Sequence, residues 1–176
     1  MRISFLIFLI LPLAFISCQQ KTSTISNKKD VTTSDDPAPS TSVYKKIIKS
    51  DEEWQADLND MEFKVLRKAG TERAFSGDLW DHKADGVYTC RGCELPLFDS
   101  NTKFKSGTGW PSYYEPIKEE NVELDIDYKI GYKRQEVHCA RCDGHLGHVF
   151  EDGPKPTGLR YCINSVSLDF IKRDQP

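Results

Sequence analysis

The chain has 176 residues, of which 38% are hydrophobic, 29% charged and 11% aromatic. This length and balance predict one globular domain with a tail, and they exclude a collagen, a coiled coil and a wholly disordered chain. The formal net charge of -3 argues against a protein that grips nucleic-acid phosphates. Six cysteines are too few for a disulfide scaffold, so the central question is how these six are used.

The first residues have the pattern of an export signal. Arg2 precedes an apolar run from Ile3 to Ile16 that is too short to span a membrane. The sequence Phe15-Ile16-Ser17-Cys18 then resembles the bacterial lipobox, with Phe15 where leucine is usual. We predict a signal peptide over residues 1–17 and a lipid on Cys18. A plain signal peptide with an incidental Cys18 is the alternative.

Residues 18–43 are predicted to form a lipid-anchored flexible linker. The segment is rich in Gln, Lys, Ser, Thr, Asp and Pro, and Ile25 and Val31 are its only large apolar side chains before Val43. Such a composition buries too little surface to fold. We therefore expect an exported domain held at a membrane and facing the periplasm. Gln19 is not the acidic retention signal of some bacteria, which favours the outer membrane.

Residues 44–176 are predicted to form one domain that begins with two short helices. The segments Ser50–Glu53 and Asn59–Glu62 have the spacing of capping boxes, and Gly70 ends the second helix. We assign Trp54 and Trp80 to core packing. The apolar residues expected on the inner helix faces are Trp54 and Leu58 in the first helix and Met61, Val65 and Leu66 in the second.

Helical periodicity ends at Gly70, and short apolar clusters separated by Gly, Pro and Asp follow it. The clearest strand runs from Val122 to Ile130, where apolar and polar residues alternate strictly. Further strands are predicted at Val87–Thr89, Glu136–His138 and Tyr161–Leu168. The sequence therefore predicts a mainly β domain with antiparallel strands behind two helices.

Four of the cysteines form two Cys-x-x-Cys motifs. Two such turns can direct four thiolates at one Zn²⁺ ion, which then staples the domain and has no open coordination position for catalysis. Disulfides within or between the motifs are the alternative in an exported protein. These motifs lie among Gly, Pro and β-forming residues rather than at the start of a helix, which favours zinc. The four expected ligands are Cys90, Cys93, Cys139 and Cys142.

Cys162 has no partner in the sequence. It lies in a segment that alternates like a strand, which places Arg160 and Asn164 on the same face. A neighbouring cation favours the thiolate, which is the nucleophilic form of cysteine. Cys162 is thus a candidate nucleophile, and an inert buried cysteine is the alternative.

Two glycine-rich segments carry further candidates. His145 and His148 follow the second motif, and each alone is more often a structural residue than an acid–base group. Trp110 lies in the segment Ser106–Ser112. Its ring is either an aromatic wall for a small apolar group or a buried aromatic at a turn.

Taken together, these segments resemble the methionine-R-sulfoxide reductase B family in its zinc-containing form. The resemblance runs in order from about Asp51 to Phe170. It implies two antiparallel sheets stapled by zinc, and reduction of the R epimer of methionine sulfoxide, free or in proteins, which repairs oxidised exported proteins. The segments that carry it are Cys90–Cys93, Lys103–Ser112, Cys139–Cys142, His145–Phe150 and Arg160–Ser165.

The resemblance also implies a role for each candidate residue. Cys162 attacks the sulfoxide sulfur and becomes a sulfenic acid, while His145 and His148 deliver the proton and position the substrate oxygen. The other implied roles are contact with the substrate methyl group for Trp110, a lowered Cys162 pKa for Arg160, and orientation of the site through hydrogen bonds for Asn164.

In one position the chain departs from many members of the family, which carry a resolving cysteine where this chain has Thr108. We therefore expect an external thioredoxin-like thiol to reduce the Cys162 sulfenic acid directly. Structural zinc is the expected cofactor, with no organic cofactor, and the protein is expected to be a monomer. A zinc-ribbon binding module and a redox protein that uses the Cys-x-x-Cys motifs themselves are the competing classes.

Overall fold

The computed structural model describes residues 43–174. The predicted signal peptide, the lipidation site Cys18 and the linker up to residue 42 lie outside the described residues, so these predictions are not tested. Between residues 43 and 174, no helix has the length and the apolar character that crossing a bilayer requires.

Two short helices open the domain, α1 (Asp51–Asp57) and α2 (Asp60–Lys68). Both predicted capping boxes are confirmed, because the pairs Ser50–Glu53 and Asn59–Glu62 each exchange hydrogen bonds between side chain and backbone. These bonds satisfy N–H groups that have no partner within the helix.

The inner faces of the helices agree with the prediction except at Met61. Met61 is 43% exposed because the first turn of α2 is open to solvent, and Phe63 is buried instead. The left-handed residue that ends α2 is Ala69, one position before the predicted Gly70. The other four predicted residues are buried as expected, namely Trp54, Leu58, Val65 and Leu66.

The described residues contain eight strands in two antiparallel sheets, which confirms the predicted fold class. The three-stranded sheet has the order β2-β1-β8, and the five-stranded sheet has the order β3-β7-β6-β5-β4. The strands are β1 (Gly86–Cys90), β2 (Pro96–Asp99), β3 (Ser112–Tyr113), β4 (Val122–Asp127), β5 (Arg134–Cys139), β6 (His145–Phe150), β7 (Arg160–Ile163) and β8 (Leu168–Lys172).

The single strand predicted from Tyr161 to Leu168 is wrong. β7 ends at Ile163, a 3₁₀ turn spans Ser165–Ser167, and β8 then begins in the other sheet. The hydroxyl of Ser167 donates to the carbonyl of Asn164 at 2.8 Å, so the turn is closed by its own polar groups. The chain therefore changes sheets where the alternating pattern predicts a continuous strand.

The strand predicted from Val122 to Ile130 ends as β4 at Asp127, and its alternation does not mark a fully buried face. Leu124 and Ile126 are about half exposed, because β4 is the edge strand of the five-stranded sheet. Alternation shows which face of the sheet a side chain lies on, but it does not show whether other residues cover that face.

The core contains a cluster of aromatic side chains. Tyr113 stacks on Phe98 with ring centroids 4.4 Å apart and meets Tyr88 edge-on at 5.2 Å. Trp80, in contrast, is only half-buried and packs edge-on against the exposed ring of Phe75 at 5.2 Å. The assignment of Trp80 to the core is therefore wrong.

Candidate active site and metal centre

The two Cys-x-x-Cys motifs form matching turns at the ends of two strands. Cys90 ends β1 and Cys139 ends β5, so the turns come from different sheets. The residue after the second cysteine, Glu94 in one turn and Asp143 in the other, is left-handed, with φ of 62° and 58°. Its N–H donates to the carbonyl of the first cysteine at 2.7 Å and 2.9 Å, which closes each turn.

The four thiols of these turns meet at one point. Their sulfur atoms all lie within 4.8 Å of one another, with Cys90 to Cys142 at 3.6 Å and Cys93 to Cys139 at 3.4 Å. A tetrahedral ion with sulfur ligands at about 2.3 Å separates them by about 3.8 Å, whereas a disulfide needs about 2.05 Å. The cluster therefore fits a four-thiolate metal ion, which joins the two sheets, and it does not fit disulfides.

Cys162 lies in β7, between β3 and β6. Its register partners are Ser112 on β3 and His148 on β6, and Oγ1 of Thr108 lies 3.8 Å from its sulfur. Burial raises the pKa of the Cys162 thiol, and the Thr108 hydroxyl and the Arg160 charge oppose this only in part. Arg160 thus lowers this pKa as predicted, and burial raises it by more.

A small cavity of about 120 Å³ opens beside Cys162. Apolar surface, chiefly from two aromatic rings, dominates its lining, and several polar side chains converge on it, which is the usual character of a small-molecule site. Four predicted site residues meet there, and four other residues complete the wall. The lining residues are Cys162, His148, Trp110 and Asn164, together with Thr71, Arg134, Gly147 and Phe150.

Asp127 of β4 fixes the orientation of His148. Nε2 of His148 lies 2.9 Å from Oδ2 of Asp127, and Arg134 pairs with the same carboxylate. The backbone N–H of Lys129, with His148 and Arg134, holds the pKa of Asp127 well below its usual range. Because an ionised carboxylate only accepts, Nε2 of His148 carries the proton and Nδ1 is the free nitrogen. Burial lowers the pKa of His148, so the ring is neutral at neutral pH.

His145 lies behind His148 and does not line the cavity. The ring centroids of the two histidines are 5.5 Å apart, and Nδ1 of His145 pairs with the carboxylate of Glu136 on β5. Burial lowers the pKa of His145 to about 4, although Glu136 opposes this shift. Of the two predicted histidines, only His148 faces the cavity.

Arg160 lies beside the cavity and does not line it. Its guanidinium pairs with Asp152 at 2.8 Å and 3.0 Å, and it lies 4.4 Å from the ring centroid of Phe150. Phe150 in turn lines the cavity. Arg160 therefore supports one cavity wall and adds positive charge near Cys162.

Asn164 and Glu72 hold the opposite wall together. The side chain of Asn164 accepts from the N–H of Glu72 at 3.0 Å and donates to the carbonyl of Leu146 at 2.9 Å. The buried carboxylate of Glu72 accepts from the N–H of Ser165 at 2.5 Å, and its carbonyl accepts from Nε1 of Trp110 at 3.3 Å. This network fixes both the Trp110 ring and the turn after β7.

Sequence reasoning missed four charged residues of this site. Asp127 and Arg134 face each other in the β4–β5 register, and their opposite charges flanking the hairpin were the available signal. Glu136 was seen only as part of a predicted strand. Glu72 lies in an irregular segment where no pattern indicates its long-range bonds.

The candidate active site places a partly buried thiol beside an aromatic cavity, with a neutral histidine on the next strand. The four-thiolate centre is separate from this site. The model of the SelR domain matches residues 58–172.

Three curated relatives, each named peptide methionine sulfoxide reductase MsrB, agree with that match. The protein of Methanosarcina mazei is 57% identical over 129 residues, which is 73% of this chain and 92% of the relative. That of Pseudomonas entomophila is 58% identical over 129 residues (73% and 98%), and that of Thiobacillus denitrificans is 54% identical over 126 residues (72% and 96%). The chain therefore belongs to the SelR family of MsrB proteins, which rules out the zinc-ribbon binding module.

Proposed function

We propose that this protein reduces methionine-R-sulfoxide, free or within proteins, to methionine. The observation that carries the proposal is the position of Cys162, which adjoins a cavity walled by Trp110 and Phe150 and lies opposite His148. The activity named for the relatives supplies the substrate class. The direct test is the conversion of a peptide carrying methionine sulfoxide to its methionine form by the full-length protein and a thiol reductant.

The cavity suits the end of a methionine sulfoxide side chain, which is apolar except for its S=O group. The rings of Trp110 and Phe150 offer apolar contact to the methyl group. Because the Trp110 ring is bonded to the Glu72 carbonyl, the methyl group has one fixed wall. When the methyl group lies against this wall, one epimer presents its sulfur to Cys162 and the other presents its oxygen. Presentation of the sulfur is the productive arrangement, and we assign it to the R epimer.

The proposed reaction transfers the sulfoxide oxygen to Cys162. The cysteine sulfur bonds to the substrate sulfur as the thiol proton passes to the sulfoxide oxygen. The hydroxyl group then moves from the substrate sulfur to the Cys162 sulfur while the S–O and S–S bonds break, which leaves methionine and the Cys162 sulfenic acid. Methionine sulfoxide gains two electrons and Cys162 loses them. We assign the proton transfer to Nδ1 of His148, which Asp127 leaves free, and we assign His145 to positioning His148 from behind.

The scaffold metal is proposed to be Zn²⁺, held by the four cysteines of the two motifs. Four thiolates fill a tetrahedral ion, so it supplies folding energy and no open position for substrate. This leaves Cys162 as the one thiol between residues 43 and 174 outside the cluster. We propose that an external thiol attacks the sulfenic acid and releases water, and that a second thiol of a thioredoxin-like partner then resolves the mixed disulfide.

Replacing Thr108 by cysteine is expected to create an internal resolving thiol. Oγ1 of Thr108 lies 3.8 Å from the Cys162 sulfur, so a thiol on the same side chain needs only a small approach to reach disulfide distance. After one turnover without reductant, intact-mass analysis should show a gain of one oxygen in the wild type and a loss of two hydrogens in T108C. T108S, which keeps the hydroxyl, should behave as the wild type.

Loss of two hydrogens in the wild type would contradict the single-cysteine scheme. Sulfenic acid that persists in T108C, despite full turnover, would show that position 108 is not within reach of Cys162 during the reaction.

We further propose that the protein is an exported lipoprotein that repairs oxidised exported proteins as a monomer. The support is the sequence of residues 1–43, with its apolar run, its Cys18 and its polar linker. Gln19 favours the outer membrane. In a bacterial host fed radiolabelled palmitate, the full-length protein should carry label in the membrane fraction. Equal labelling of a Cys18→Ala variant would contradict lipidation at this residue.

A further inference from the structure

A second group of metal-binding side chains lies beside the proposed active site. One ligand atom from each of Glu136, His138 and His145 lies within 4.8 Å of the other two. Nδ1 of His145 and Nε2 of His138 both approach the same atom, Oε1 of Glu136, the latter at 3.3 Å. This group shares no residue with the four-cysteine cluster.

Two buried ring nitrogens of this group have no hydrogen-bond partner among the described residues. Nε2 of His138 is buried and makes no hydrogen bond, although it lies 3.3 Å from Glu136. Nε2 of His145, whose side chain is 3% exposed, also has no hydrogen-bond partner within residues 43–174. Buried polar atoms without a partner are uncommon, and each requires an explanation. For Nε2 of His138, which faces Glu136, a ligand that binds the nitrogen lone pair would supply one.

We propose that Glu136, His138 and His145 form a second metal site, and that Zn²⁺ bound there inhibits the enzyme. Two imidazoles and one carboxylate are ligands that Zn²⁺ accepts, with water in the fourth position. Mg²⁺ and Ca²⁺ prefer oxygen ligands and are not expected to bind. A tetrahedral ion with bonds of about 2.0–2.1 Å separates its ligand atoms by about 3.4 Å, and Nε2 of His138 is 3.3 Å from Oε1 of Glu136.

The surroundings of His138 are those of a metal ligand. Nδ1 of His138 lies 3.5 Å from both the backbone carbonyl and Oδ1 of Asp143, so two oxygens of Asp143 at the far nitrogen orient the ring and turn Nε2 towards Glu136. Asp125 is the register partner of Glu136 on β4 and adds negative charge to the same face. Glu136 and His138 are both partly exposed, which gives an ion access from solvent.

The inhibitory part of this proposal rests on the proposed function, whereas the binding part does not. An ion at this site takes the place of the contact between His145 and Glu136 and puts positive charge beside His148, whose ring centroid is 5.5 Å from that of His145. Loss of the contact with Glu136 frees the His145 ring, which packs edge-on against the ring of His148 and positions it. Occupation of the second site should therefore slow the proton transfer assigned to His148.

The binding test uses the full-length protein with one Zn²⁺ in the cysteine cluster, titrated with Co²⁺ as a spectroscopic probe. We expect one further equivalent to bind, with visible absorption of a nitrogen–oxygen site and without the intense charge-transfer bands of cobalt thiolate. H138N should weaken this binding by about a hundredfold and D143N by about tenfold, while H82N, at a remote histidine, should leave it unchanged. Asn suits the left-handed turn at position 143.

A wild-type protein that binds no second equivalent would overturn the proposal, as would equal binding by H138N.

The inhibition test measures methionine formed in a single turnover without added thiol, because thiols bind zinc. Saturating Zn²⁺ should slow the wild type at least tenfold and leave H138N unaffected. Equal inhibition of both would overturn the inhibitory role, whereas no turnover in metal-free buffer would count against the proposed function and not against the site.

Discussion

Replacing Cys162 by serine is expected to abolish methionine sulfoxide reduction, with the rate falling by roughly a thousandfold or more. A serine hydroxyl is a far weaker nucleophile than a thiol, and a sulfenic acid cannot form on oxygen. The other described cysteines are gathered at the metal cluster and cannot replace Cys162. The measurement is single-turnover formation of methionine from a sulfoxide peptide, which needs no reductant and isolates the chemical step.

The control for this loss is the integrity of the variant. Cys162→Ser should retain one zinc per chain and the circular dichroism of the wild type, because Cys162 is not part of the cluster. T108S provides a matched substitution next to the same sulfur, and it should remain active. Substantial single-turnover activity in a folded Cys162→Ser protein would contradict the assignment of the nucleophile.

Removal of the scaffold metal is expected to unfold the domain. Binding of Zn²⁺ to four thiolates contributes about 10–16 kcal/mol of apparent free energy, whereas the whole stability of a domain is about 5–15 kcal/mol. The cluster joins β1 of one sheet to β5 of the other, so its loss separates two parts of the core. The measurement is circular dichroism after treatment with a strong chelator, with metal content measured on the same sample.

A substitution within the cluster gives the same test without a chelator. Cys93→Ser removes one ligand and should lower zinc content and stability together, while Cys162→Ser should lower neither. Native circular dichroism in a sample verified to be metal-free would contradict a structural role for the ion.

Local features of this fold could be predicted because their causes are local. The capping boxes at Ser50 and Asn59 each involve residues three apart, and they form as predicted. The Cys-x-x-Cys spacing likewise fixes the ligand turns, and the convergence of Cys90–Cys93 with Cys139–Cys142 confirms it. In both cases a short stretch of sequence contains the interacting groups.

Features that depend on distant contacts could not be predicted in the same way. The turn after β7 is held by Glu72, more than ninety residues away along the chain, so the alternating sequence around Cys162 suggested one long strand. The exposure of Leu124 depends on β4 being an edge strand. Neither the place of a strand in its sheet nor a long-range polar bond is evident in the alternation.

The candidate site shows the same division. Cys162, His148 and Trp110 were found in their segments and meet at one cavity. Asp127, which sets the proton on His148, comes from another strand and was missed. The charge of Arg160, which lowers the pKa of Cys162 as predicted, was visible in the sequence, whereas the burial that raises this pKa was not.

We propose that the cavity beside Cys162 presents one sulfoxide epimer to the thiol. The most direct measurement supplies the full-length protein with a peptide carrying pure methionine-R-sulfoxide or pure methionine-S-sulfoxide and determines single-turnover methionine formation for each. We expect one methionine per Cys162 from the R epimer and no detectable product from the S epimer. Equal reduction of both epimers, or reduction of the S epimer alone, would contradict it.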